Sequence, residues 1–272
     1  MSAGPRVSIR RRLRRSPWVY WVGDISEFSW DVTRGALSPR MREFFGESLR
    51  QASILISGSV ILIIGMVFAF GLVIGVEASY GARMVGAPSA AGAFTAIADL
   101  REIVPYAFAY MMAAKVSTGY VAEIGTMRIT EEIDAMEVMG IDSKLYLCST
   151  RVLASWMVLP LVFALAMLVA FIGSFIAVVL QIAQSPAGGY LELFWKFQNP
   201  GDFLYSGIKS GVMATFVVLV GCYYGFRVRG GPVEVGQACA RAMIVNLLGI
   251  HAIGIIGTQL FWGGVPRLPI GG

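Results

Sequence analysis

The chain has 272 residues, 56% of them hydrophobic and 14% charged, with a mean hydropathy of +0.68. Those values exclude a soluble globular enzyme and describe an all-α polytopic membrane protein with no room for a second soluble domain. The net charge of +5 is local, because Arg6, Arg10, Arg11, Arg12, Arg14 and Arg15 precede the first apolar element; with no folded basic module, nucleic-acid binding is excluded.

Residues 1–16 read as a disordered basic arm facing anionic lipid. No apolar run follows the arginines directly, so no removable signal peptide is expected. Residues 17–50 read as interfacial and elbow helices. Trp18, Trp21, Val22, Ile25, Phe28 and Val32 recur at helical spacing opposite Asp24, Glu27, Asp31 and Arg34, the pattern of a helix lying in the membrane interface. Gly35 ends it, and Ser38-Pro39 restarts a helix at Arg40.

The membrane core, residues 51–265, is expected to hold five spans at about 54–76, 103–121, 153–182, 203–226 and 242–262. Ile54 to Val76 is 23 residues without a charge. Gly71/Gly75, Gly207/Gly211 and Gly221/Gly225 have the GxxxG spacing that permits close helix approach. Residues 77–100 read as a polar outer segment. Leu153 to Ile182 is 30 apolar residues, more than one crossing requires, with Pro160 a kink point. The aromatic stretch Tyr190 to Phe197 belongs to an outer interfacial loop, and Arg227 to Arg241 to an inner polar loop.

Between the second and third spans lies a polar island, Glu123 to Asp142, with six carboxylates and only Arg128 to balance them. So many acids cannot sit in hydrocarbon, so the segment lies in water. It reads as a short helix at about 130–140, with Thr130 as N-cap, Glu131, Glu132 and Asp134 near the positive end of its dipole, and Gly140 as the stop. Ile133, Met136 and Met139, with Val138 beside them, make an apolar stripe. A short amphipathic helix held between spans suits docking of another protein; the same pattern also fits an ordinary surface loop.

With the N-terminus inside, sixteen Lys and Arg fall in inner segments and four in outer ones, which orients the N-terminus to the cytoplasm and the C-terminus outside. Cys148, Cys222 and Cys239 have neither disulfide nor zinc spacing, and no metal site is expected. The chain has no Gly-Lys dipeptide, hence no P-loop, and no GxSxG or HExxH. The single histidine, His251, lies mid-span and reads first as an interhelical hydrogen-bonding group. Arg101 and Glu102 stand at the outer mouth of span two, Lys115 in its inner half, and Lys209 in the outer part of span four. Charges at that depth face a bundle interior or a pathway, so Lys209 either snorkels, pairs with Glu102, or meets an anionic ligand.

The run Glu123-Ile124-Gly125-Thr126-Met127, Thr130 to Met136 and Met139-Gly140-Ile141-Asp142, with REIVP before it and GIKSG after it, resembles the MlaE/YrbE permease family. Those are membrane subunits of ABC-type lipid transporters that work with MCE proteins. The likeness extends over roughly residues 40–264, with Ser143 where many members have proline and Lys115 where the family often has arginine. The resemblance implies that two permeases, same or sister chains, pair and bind a cytoplasmic ATPase dimer, which holds the ATP and magnesium; this chain is then no enzyme and holds no cofactor. It implies that the island, through Glu131, Glu132, Ile133, Asp134, Met136 and Gly140, couples to the ATPase. It also implies an outer lipid cavity near Arg101, Glu102 and Lys209, walled by Val73, Ile74 and Glu77, opening to an MCE ring outside the bacterial plasma (inner) membrane. The competing readings are an intramembrane lipid-modifying enzyme using Glu102 and Lys209, and an ion-coupled secondary transporter.

Overall fold

The computed structural model describes residues 17–183 and 185–263; the expected basic arm and the tail with Pro266 and Pro269 lie outside the described residues. Every element among those residues is helical. Four helices are long and apolar enough to cross a membrane: Pro39–Met84, Leu145–Gln181, Pro200–Phe226 and Pro232–Trp262.

Helix α1 (Pro17–Ala36) buries Phe28, Val32 and Ala36 and leaves Tyr20, Val22 and Trp30 exposed. It is pinned to the ends of two spans. Asp24 accepts from Tyr223 Oη at 2.7 Å and pairs with Arg227, and Asp31 lies 3.6 Å from Lys144. Gly35 does not stop the helix, which runs on to Ala36. Its missing side chain serves close packing instead, since a Cβ there would sit 2.5 Å from Ser149 Oγ.

Ser38 and Pro39 open a two-turn 3₁₀ segment, Pro39–Phe44, that leads into α2 (Phe45–Met84). The 40 residues of α2 rise about 60 Å at ~1.5 Å per residue, twice the hydrocarbon thickness. It lies along α7 (Thr150–Phe175), and Gly71 and Gly75 are the reason it can. A Cβ on Gly75 would stand 2.7 Å from Ser174 O, and Gly71 sits directly on the Ala170 backbone. The Gly221/Gly225 pair is used the same way against the helical run that holds span two, where a Cβ would stand 2.8 Å from Ser117 Oγ on Gly221 and 3.0 Å from Ile124 Cβ on Gly225, whereas Gly207 and Gly211 meet open space.

Residues 77–100, expected as a polar segment between spans, are largely helical. Helix α2 carries on to Met84, the chain turns at Gly86 (φ +71°), and a new helical run begins at α3 (Ala91–Ala98). This run continues through a π turn at Asp99–Ile103, α4 (Val104–Met111), a second π turn at Met112–Ser117 and α5 (Thr118–Ile129); the expected second span falls within it. The polar segment is helical because it has a partner. Helix α8 (Ala187–Lys196) packs on α3, with Tyr190 buried, its hydroxyl 2.8 Å from Thr95 Oγ1 and its ring against Phe194. Burial holds the Tyr190 phenol above its ordinary pKa.

Helix α7 continues the π turn Leu145–Ser149 and carries Pro160 inside it. Helix α9 (Pro200–Phe226) starts on an Asn199 cap, whose side chain accepts from Gly201 N at 2.9 Å. Helix α10 (Pro232–Trp262) begins ten residues before the expected fifth span, so most of the expected inner polar loop is helix.

Candidate functional site

Two polar assemblies stand at opposite ends of the bundle. At one end, Pro105 has no N–H to offer the Arg101 carbonyl four residues earlier. The chain winds there as the π turn Asp99–Ile103, which points Arg101 and Glu102 toward α9 and α10. Lys209, on α9, donates to the Arg101 carbonyl (2.9 Å), to Glu102 Oε2 (2.8 Å) and to Thr258 Oγ1 (2.8 Å). Thr258 donates in turn to Glu102 Oε1 at 2.6 Å. Arg101 grips Asp202 through Nη2 (2.8 Å) and Nε (3.2 Å), and Trp262 Nε1 donates to the other Asp202 oxygen at 2.9 Å. The indole of Trp262 also lies under the guanidinium, 5.5 Å away.

The cluster is therefore two ion pairs that neutralise each other inside one chain. Arg101, Asp202 and Lys209 are 8%, 0% and 1% exposed, whereas the Glu102 side chain is 36% exposed. Lys209 does not snorkel, and its ammonium does not reach an open surface. Glu102 is the member of the cluster that does. Of the expected cavity wall, Val73 and Glu77 are exposed on α2 and Ile74 is half-buried; no hydrogen bond or ion pair among the described residues joins them to the cluster. Asp202, the buried partner of Arg101, was not singled out from sequence. Its signal is a carboxylate in the first helical turn opened by Asn199-Pro200, immediately before the expected span 203–226.

Asp99 is a second unforeseen residue. It is 0% exposed, meets Ser174 Oγ, and leaves Oδ1 without a partner; Ser174 Oγ also lies 3.0 Å from the Gly71 carbonyl. This contact ties spans one and three to the π turn that carries Arg101.

At the other end, Arg151 and Glu123 clamp the base of the polar island at 2.7 Å; Arg151 is 1% exposed, lies over Tyr120 at 5.3 Å and donates to Leu147 O. The island helix is α6 (Glu132–Val138). Thr130 is not its N-cap. The Thr130 hydroxyl turns back to Thr126 O (3.0 Å) on α5 and forward to Glu132 Oε1 (2.8 Å), while Glu131 holds the junction in the left-handed region at φ +62°. Gly140 is the stop, at φ +80°, with Ile141 N donating to Met136 O and Gly140 N to Glu137 O, both at 3.0 Å, a Schellman closure.

The apolar stripe of α6 divides. Ile133 is 0% exposed and Met136 packs on the bundle core, so neither is free to fill a partner's groove. Val138 (88%) and Met139 (68%) are the apolar residues presented outward, beside exposed Glu131, Glu132 and Asp134. Asp134 is held by Arg128 at 2.6 Å, and Glu137 accepts from Ser143 Oγ at 2.6 Å.

Helices long and apolar enough to cross a membrane, packed through glycine, with a self-neutralised charged cluster at one end and a short acidic helix at the other, define a multi-pass membrane protein. The chain belongs to the MlaE permease family, whose model, "Permease MlaE", matches residues 48–260. It is 24% identical over 241 residues to a probable ABC transporter permease protein of Rickettsia bellii, covering 89% of this chain and 92% of the relative. A probable ABC transporter permease protein of Synechocystis is 27% identical over 201 residues, 74% of this chain and 76% of its own. The chloroplastic protein TRIGALACTOSYLDIACYLGLYCEROL 1 of Arabidopsis thaliana is 26% identical over 177 residues, 64% of this chain and 49% of its own. The chain is a permease subunit of an ABC-type transporter.

Proposed function

We propose that this permease moves lipid within an MCE transport system of the bacterial plasma (inner) membrane, paired with a second permease and driven by a cytoplasmic ATPase dimer. The ATP and magnesium belong to the ATPase. The lipid cavity lies between the paired permeases, with Glu102 at its mouth, Arg101 and Lys209 positioning Glu102, and Val73, Ile74 and Glu77 on its wall. An MCE ring receives or delivers lipid on the outer side. The sixteen-to-four distribution of Lys and Arg supports a cytoplasmic N-terminus and an outer C-terminus. A lipid in the printed name of the Arabidopsis relative supports the cargo class.

The observation that carries this reading is α6. It stands between two spans, clamped at its base by Arg151 and Glu123, and turns Val138, Met139, Glu131 and Glu132 outward. That is a docking tip for a partner, in a chain without a nucleotide-binding loop of its own. Affinity purification of the chain from native membranes tests it. The expected isolate contains a stoichiometric ATPase, an MCE protein and retained lipid detectable by mass spectrometry. A permease that purifies without any ATPase would overturn the reading.

A further inference from the structure

Lys115 is exposed in the inner half of span two, and no acceptor for its ammonium is found among the described residues. It is six residues, or ~9 Å, from the nearer end of the expected 103–121 span. Its Cα–Cβ bond tilts toward the helix N-terminus, which is the farther end. Snorkelling to the nearer surface therefore runs against the backbone. A cation left facing hydrocarbon there is costly, so this face is covered or wet.

The residues above it show which. Glu102, Tyr106 and Tyr110 are partly exposed and spaced four apart, so they line one face of the helical run. Lys115 follows after five, and the π turn Met112–Ser117, whose bonds run from i to i+5, absorbs the extra residue and keeps Lys115 on the same face. The stripe is continuous. Lys209 lies over Tyr106 at 5.0 Å, and the rings of Tyr106 and Tyr110 are 6.0 Å apart. Tyr110 Oη meets His251 Nε2 at 2.9 Å, with His251 Nδ1 held on Leu247 O at 2.8 Å.

A second copy of the chain meeting this face through its own equivalent face does not neutralise Lys115. The outward residues at its level, Ala114, Gly119, Ile244, Leu247 and Leu248, include no carboxylate, and Glu123 farther in is already clamped by Arg151. The outer cations are likewise committed, Arg101 to Asp202 and Lys209 to Glu102. The negative charge for Lys115 has to arrive with the cargo.

We propose that the stripe Glu102–Tyr106–Tyr110–Lys115 is a headgroup track, and that Lys115, five residues beyond Tyr110 on the same face, is its anion-binding station within the span, holding the phosphate or carboxylate of a lipid headgroup. This rests on the lipid-transport reading above. The station gives the pathway a preference for anionic over zwitterionic lipid that the neutralised outer cluster does not supply.

The test uses the full complex, purified with its ATPase, in phosphatidylcholine nanodiscs doped with photoactivatable phosphatidylglycerol or photoactivatable phosphatidylcholine. Crosslinks are mapped by mass spectrometry to the segment 106–119. Wild type is expected to capture phosphatidylglycerol in preference, Lys115→Gln to lower that capture about tenfold, the worth of one charge-assisted hydrogen bond, and Lys115→Arg to restore it. Phosphatidylcholine capture stays constant in all three. Competition by added sodium phosphate assigns the anion site to free phosphate as well; resistance assigns it to the lipid headgroup. An unchanged ratio in Lys115→Gln, or an equal loss of both lipids, overturns the station while leaving the transport reading intact. A wild-type complex that captures neither lipid contradicts the transport reading and the station with it.

Discussion

Replacing Asp202 with alanine removes the carboxylate from the Arg101 guanidinium, which is only 8% exposed, and the acceptor from the Trp262 indole N–H. Breaking a buried ion pair from one side costs about 3–5 kcal/mol. A stranded buried N–H adds about 1–3 kcal/mol. The single variant is expected to lose about 4 kcal/mol or more, a large part of a typical stability of roughly 5–15 kcal/mol. Asp202→Asn keeps an oxygen for the indole and removes the charge, so it loses less. Arg101→Met together with Asp202→Leu removes both charges and fills the space, and is expected to recover most of the loss. The assay is tryptophan-fluorescence unfolding of the purified complex, arranged as a double-mutant cycle. A coupling of about 2 kcal/mol or more is expected; effects of the two sites that add within about 0.5 kcal/mol would refute the reasoning.

Gly71→Leu places a side chain where the Ala170 backbone now lies, so α2 and α7 separate and the complex is expected to lose yield and thermal stability; a wild-type melting profile contradicts the packing. Val138→Asp with Met139→Asp alters only exposed groups, so the permease folds but its partner ATPase is lost on purification; retention of a full complement of ATPase moves the docking surface elsewhere. Glu132→Lys with Asp134→Lys is expected to uncouple hydrolysis from transport in the same assembly, and unchanged transport rates count against a role for these carboxylates. In a chain cleared of its own cysteines, a cysteine at exposed Gly188 is expected to react with an impermeant thiol reagent in intact cells and one at Glu137 not to; the reverse pattern inverts the orientation.

The spans were legible because a membrane helix must be uncharged over about twenty residues, and Ile54 to Val76 and Leu153 to Ile182 satisfy that locally. Gly140 was legible for the same reason, since its positive φ is a property of one residue. What the sequence hid depends on partners far along the chain. Residues 77–100 read only as a polar segment because the helix that covers them, α8, is about a hundred residues away, as the Thr95–Tyr190 contact shows. Lys209 and Glu102 were candidates for each other as charges at one depth, but Asp202 as the mate of Arg101 depends on how α9 is rotated. The spacing of Ile133, Met136 and Met139 shows that one face of α6 is apolar, without showing which body covers it. The chain's own core takes Ile133, and the outward residues are Val138 and Met139.

ATP-driven lipid movement by the reconstituted assembly tests the central claim most directly. The permease, with the ATPase and the MCE protein expected to co-purify with it, is placed in one set of vesicles with labelled lipid, and lipid appearing in acceptor vesicles or on the MCE protein is followed. Transfer that requires ATP hydrolysis, and that stops when Val138 and Met139 are both replaced by aspartate although the permease remains folded, is the predicted result. Transfer at the same rate without ATP, or with that docking tip destroyed, would contradict it.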